Sequence, residues 1–119
     1  MSTHGSDVVL VLVSAPDPAT AERIADELVG ARLAACVKVG APVRSTYRWK
    51  GVVQRAEEWR VEIVTTAPAG ARVAGAVRAV HPDEVPEVVV VPVADGDDAY
   101  LAWVGEQVDP ADPIPPGPG

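Results

Sequence analysis

The residues best equipped for chemistry lie in one short segment and at a few scattered positions. His81, Glu84 and Glu87 stand close together in H-P-D-E-V-P-E, and Cys36 is the only thiol. Imidazole, carboxylate and thiolate are the usual protein ligands of divalent transition metals, so metal ligation is the first chemistry to weigh. The spacing is loose for it. Pro82 keeps His81 and Glu84 off a continuous helical face, and no C-x-x-C or H-x-x-x-H pair sets a tetrahedral site. The plainer roles are a His81 that ends a helix and meets its last carbonyls, and a Cys36 that is a small apolar group on a strand.

Other chemistries have less support. Ser14, Ser45 and Cys36 stand in no nucleophile elbow, His81 would have to serve as the base, and the lack of any Asn excludes a Cys-His-Asn arrangement. No enzyme activity is expected. A net charge of −7 argues against nucleic acid or an anionic membrane as a partner, and S-A-P-D-P is not a glycine-rich phosphate loop. The apolar runs are too short to span a bilayer. Met1 to Asp7 has no long apolar core and Cys36 cannot form an intrachain disulfide, so a reducing cytoplasm is the expected location.

The elements that must position these residues follow from periodicity. Aromatics are 4% of the chain and Phe is absent, so the core is built from Val, Ala, Leu and Ile. Val8 to Val13 is apolar at every position, which predicts a central strand covered on both faces, ended by Ser14-Ala15-Pro16. Asp17 caps a helix with Pro18 at its first position; Ala21, Ile24, Ala25, Leu28 and Val29 form its apolar stripe and Gly30 stops it. A second strand spans Leu33 to Val39, with a bulge or bend at Gly40-Ala41-Pro42.

From Pro42 to Thr66 the pattern predicts a long β-hairpin broken at Lys50-Gly51. Val43, Ser45, Tyr47 and Trp49 share one face of its first arm. Its exposed end should carry Tyr47, Trp49 and Trp59. A helix opening at Ala67-Pro68 follows, with Val73, Ala76, Val77 and Val80 on one side and a stop at His81-Pro82. Val85 to Val93 reads as a strand. Asp95 to Asp98 caps a short last helix whose apolar side is Tyr100, Leu101, Trp103, Val104 and Val108. Residues 1–7 and the Pro/Gly-rich 109–119 read as disordered ends flanking one domain, 8–108.

The order β-α-β-β-α-β plus a C-terminal helix predicts an α+β, ferredoxin-like sandwich with the first and third strands central. A two-stranded ribbon is marginal alone, so the aromatic hairpin implies association, which a closed ring of like subunits would satisfy. The tryptophans and Tyr47 suit either interface packing or the floor of a pocket between subunits.

Several stretches together resemble the CutA family of divalent-cation tolerance proteins. They are A-P-D at Ala15 to Asp17, R-L-A-A-C-V at Arg32 to Val37, S-T-Y-R-W-K-G at Ser45 to Gly51, T-T at Thr65-Thr66, H-P-D-E-V-P-E at His81 to Glu87 and Y-L-A-W at Tyr100 to Trp103. The resemblance covers residues 8 to 108. It implies a non-enzymatic homotrimer, similar in architecture to the PII signalling proteins, that takes part in the response to copper and other divalent cations. Members with assigned copper ligands carry a cysteine at the position of Val13 and an extra histidine at that of Val80. Here only His81 matches, and Asp83 replaces the usual tyrosine after His-Pro. The resemblance therefore implies weak binding of copper or another divalent cation through His81, assisted by Asp83 and Glu84, and no organic cofactor. A PII-like alternative is a small metabolite or anion in the intersubunit cleft, where Tyr47, Arg48, Trp49, Lys50 and Trp103 would converge.

Overall fold

The computed structural model describes residues 6–110. Its elements run β1 (Val8–Ala15), α1 (Pro18–Gly30), β2 (Cys36–Trp49), β3 (Val52–Thr66), a 3₁₀ turn (Ala67–Ala69), α2 (Gly70–Val80), β4 (Val88–Pro92) and α3 (Asp98–Gln107). The sheet order is β2-β3-β1-β4, antiparallel throughout, so the first and third strands are central. This is the ferredoxin-like arrangement.

The alternation of β1 assigns its residues to two cores. Val9, Val11, Val13 and Ala15 pack beneath Ile24 and Leu28 of α1 and Val73 and Val77 of α2, with Val61 and Ile63 beside them on β3. Val8 turns the other way and meets Val64 and Val104 under α3. The second face is covered only at that end. Leu10 and Leu12 are half-buried, and their cross-strand partners Val91 and Val89 are exposed. The expectation of a strand covered on both faces thus holds for one face and for one end of the other.

Local chemistry sets the element boundaries. The Asp17 carboxylate accepts the Thr20 backbone N–H at 2.7 Å and caps α1. That hydrogen bond is the main reason its carboxyl titrates below the ordinary carboxylate value. A depressed folded value contributes stability above the unfolded value, and the contribution is lost as pH falls through the folded one. Asp17→Asn keeps the cap but not the titration, so the variant should lose less stability than wild type between about pH 6 and about pH 3. Parallel urea melts at the two pH values check this; equal losses in both proteins would refute it.

Two strand starts and one helix face differ from the periodicity. The second strand begins at Cys36, because Leu33 and Ala34 donate their N–H groups back to the Leu28 carbonyl and Arg32 takes a left-handed φ of 58°. The fourth begins at Val88: Pro86 lacks a ladder donor and Glu87 is drawn aside to Ser14 and Arg60. On α3 only Val104 is fully buried, while Tyr100 and Trp103 are exposed and stack on each other with ring centroids 5.7 Å apart. Beyond α3, Asp109 donates its N–H to the Arg32 carbonyl and accepts from the Arg32 guanidinium at 3.0 Å, and its carbonyl accepts from Arg72. At the other end the Ser6 hydroxyl donates to the Val93 carbonyl. The disorder expected of the two ends otherwise falls on residues 1–5 and 111–119, outside those described.

Candidate functional site: the hairpin cleft

The hairpin is closed by Lys50 and Gly51, with φ of 50° and 80°, between paired Trp49 and Val52. Two consecutive positive-φ residues are the mark of a type I′ turn, which fits the twist of a long ribbon. Near the sheet body the register slips. Val39 pairs with Val61 and Pro42 with Trp59, so β2 spends one more residue than β3 over that span. The bulge inverts the parity of the faces. Val37 and Val39 point towards the helices, whereas beyond the bulge it is the even-numbered Pro42 to Arg48 that share that side. Tyr47 and Trp49 therefore lie on the open face of the sheet with Glu58. Trp59 stays on the helix side, packed against the core, and does not join them at the exposed end.

Between this distal arm and the segment from His81 to Glu87 lies a cleft of about 550 Å³. One wall is Ser45, Thr46, Tyr47 and Trp49; the other is Asp83, Glu84 and Val85; Ser14, Glu58 and Glu87 complete the lining. The Ser14 hydroxyl donates to Glu87 Oε1 at 3.1 Å and accepts from the Arg60 guanidinium at 3.0 Å, and the same Arg60 nitrogen reaches Glu87 Oε2 at 3.1 Å. At the rim, Lys50 Nζ lies 5.6 Å from the Trp49 ring centroid and 3.9 Å from Glu84 Oε1. Ser14, Glu58 and Arg60 had no signal in spacing. The β1–β3 register, which sets Ser14 opposite Arg60 with Glu58 two residues further along β3, gathers them on the open face beside the segment after α2.

His81 is buried, and both ring nitrogens are engaged. Nε2 donates to the Ser14 carbonyl at 2.7 Å, and Nδ1 accepts the Asp83 backbone N–H at 3.1 Å. A ring so held has no free lone pair for a metal. Asp83 and Glu84 line the cleft instead, with Asp83 Oδ2 3.9 Å from Nδ1. Among the described residues no three His, Cys, Asp or Glu side chains converge to hold a metal ion. The residues present thus do not fit a resident metal. Nor does the single chain assemble an anion site: Arg48 donates to the Gly51 carbonyl, and Trp103 lies on α3 beside Tyr100, away from Tyr47, Trp49 and Lys50.

A family model described as CutA1 divalent ion tolerance protein matches residues 9–107. The chain belongs to this family. Among CutA relatives, the divalent-cation tolerance protein of Thermus thermophilus is 40% identical over 97 residues, covering 82% of this chain and 94% of the relative. That of Pectobacterium atrosepticum is 37% identical over 98 residues, covering 82% and 89%. The crystal structure of CutA from Xylella fastidiosa superposes with a TM-score of 0.85 at 38% identity, over 87% of this chain and all of that one. The ferredoxin-like body and the long hairpin are thus CutA features, and the cleft lies inside the matched region.

Proposed function

We propose that this CutA-type divalent-cation tolerance protein works as a non-enzymatic homotrimer in the cytoplasm, meeting copper or another divalent cation weakly rather than holding it as a cofactor. The observation that carries this reading is the cleft, which collects Glu58, Asp83, Glu84 and Glu87 without a convergent triad. Such a lining attracts dications by its field, and the attraction weakens with salt. The groups best suited to covalent chemistry are committed elsewhere: the Ser14 hydroxyl to Glu87 and Arg60, and both His81 nitrogens to backbone. Cys36, with no second cysteine to pair with, suits a reducing compartment. The trimer is supported by open edges. Among the described residues, the hairpin arms beyond Trp59 pair only with each other, and β4 has no neighbour on its outer side.

Calorimetric titration with Cu²⁺ and Mg²⁺ tests the cation reading. Dissociation constants of roughly 10⁻⁴ to 10⁻³ M are expected, as for loosely built oxygen sites, weakening further in higher salt. Glu58→Gln with Glu84→Gln should weaken binding several-fold. Tight binding indifferent to both salt and these substitutions would overturn the reading.

A further inference from the structure

The C-terminal helix is held unlike the other two. Only Val104 of α3 is fully buried, against three buried residues each in α1 and α2. A cavity of about 380 Å³ is lined by Tyr100 and Leu101 of α3 together with Val8, Leu10 and Val64 of the sheet. A helix anchored through so little, beside unfilled space, sits at the low end of local stability. Its last turn also carries no basic residue to meet the free carbonyls.

What α3 lacks in packing it receives from a clasp at its far end. Arg32 donates from Nη2 to the Glu106 carbonyl, 74 residues away, at 3.1 Å, and from Nε to Asp109 Oδ1 at 3.0 Å. The Arg32 carbonyl accepts the Asp109 N–H at 2.9 Å, and Arg72 of α2 donates to the Asp109 carbonyl at 3.2 Å. Arg32 does this from the position that ends α1, at a φ of 58°. Glycine or asparagine ordinarily stands there, because an L side chain is strained in the left-handed region. A residue kept in such a conformation points to a role for its side chain, and among the described residues this one bonds only Glu106 and Asp109. The ion pair is half exposed on both sides, so salt screens it.

We propose that α3 is a lid over the Val8 and Val64 end of the sheet, latched by Arg32 on Glu106 and Asp109 and released as a unit when ionic strength rises. The inference is independent of the weak cation reading, since no residue of the clasp lines the hairpin cleft. Hydrogen exchange of the full chain, followed by mass spectrometry, reads the opening of α3 with β1 as the internal reference. Arg32→Ala should speed exchange over Asp98–Gln107 about tenfold, as expected for losing charge-assisted hydrogen bonds, and leave β1 within about twofold. Arg32→Gly also relaxes the backbone, so it should open α3 as far as alanine does while β1 is no less protected. Asp109→Asn keeps the backbone bonds and should speed α3 about threefold. Raising NaCl from about 0.05 to about 0.5 M should speed α3 relative to β1 in wild type and far less in Arg32→Ala. Arg23→Ala breaks a similarly exposed ion pair on α1 and should leave α3 within about twofold. Equal acceleration of α3 and β1, unchanged α3 exchange in Arg32→Ala, or the same salt response in wild type and Arg32→Ala would overturn the proposal.

Discussion

Tyr47→Ser combined with Trp49→Ser should move the protein from the proposed trimer to monomer in light scattering while the chain stays folded. Both side chains lie on the distal arm of the hairpin, outside either core cluster, with 43% and 39% of their surface exposed. Covering that remainder in an interface is worth roughly 1–2 kcal/mol per chain, or roughly 3–6 kcal/mol over three chains. At about 1.4 kcal/mol per decade, the loss raises the dissociation constant by two to four orders of magnitude. Serine also lowers strand propensity, so far-UV circular dichroism must accompany the scattering. A full trimer at low micromolar concentration with an unchanged spectrum would count against the hairpin as the interface.

The second large effect falls on stability. His81→Ala removes the donor to the Ser14 carbonyl, which lies one residue past the last β1–β4 pair, and the acceptor of the Asp83 N–H. It also opens a void where a buried ring stood. Unsatisfied groups and lost packing together cost about 2–4 kcal/mol, on the order of 10 °C in melting temperature. His81→Gln, which keeps a donor and an acceptor, should recover part of this. Cu²⁺ titrations of folded wild type and His81→Ala should match if, as proposed, the cleft carboxylates and not the ring meet the ion. Copper binding abolished in a folded His81→Ala protein would make the ring a ligand after all.

Much of this was legible from residue order. The Asp17-Pro18 start of α1, the Lys50-Gly51 turn and the central place of β1 follow from capping, positive φ and an unbroken apolar run, all of which act over a few residues. What escaped depends on contacts far apart in the chain. His81 resembles a ligand beside acidic residues, and only the fold shows it reaching the end of β1. Within one chain α3 packs through Val104 and leaves Trp103 exposed beside Tyr100, a placement that depends on contacts with β1 and β3 far away in sequence. Val85 continues a valine-rich run, but the pull of Ser14 and Arg60 on Glu87 keeps that stretch out of the ladder. The side of the sheet taken by Tyr47 could not be read at all, since Gly40-Ala41-Pro42 fits a simple bend as well as an inserted residue.

That inserted residue uncouples the two halves of one strand. Up to Val39 the alternation answers to the packing of α1 and α2; from Pro42 onward it answers to whatever lies across the open face. Substitutions in the distal arm can therefore accumulate without disturbing the helix-side core. The hairpin behaves as a module whose surface chemistry can drift between related proteins while the body that carries it stays the same.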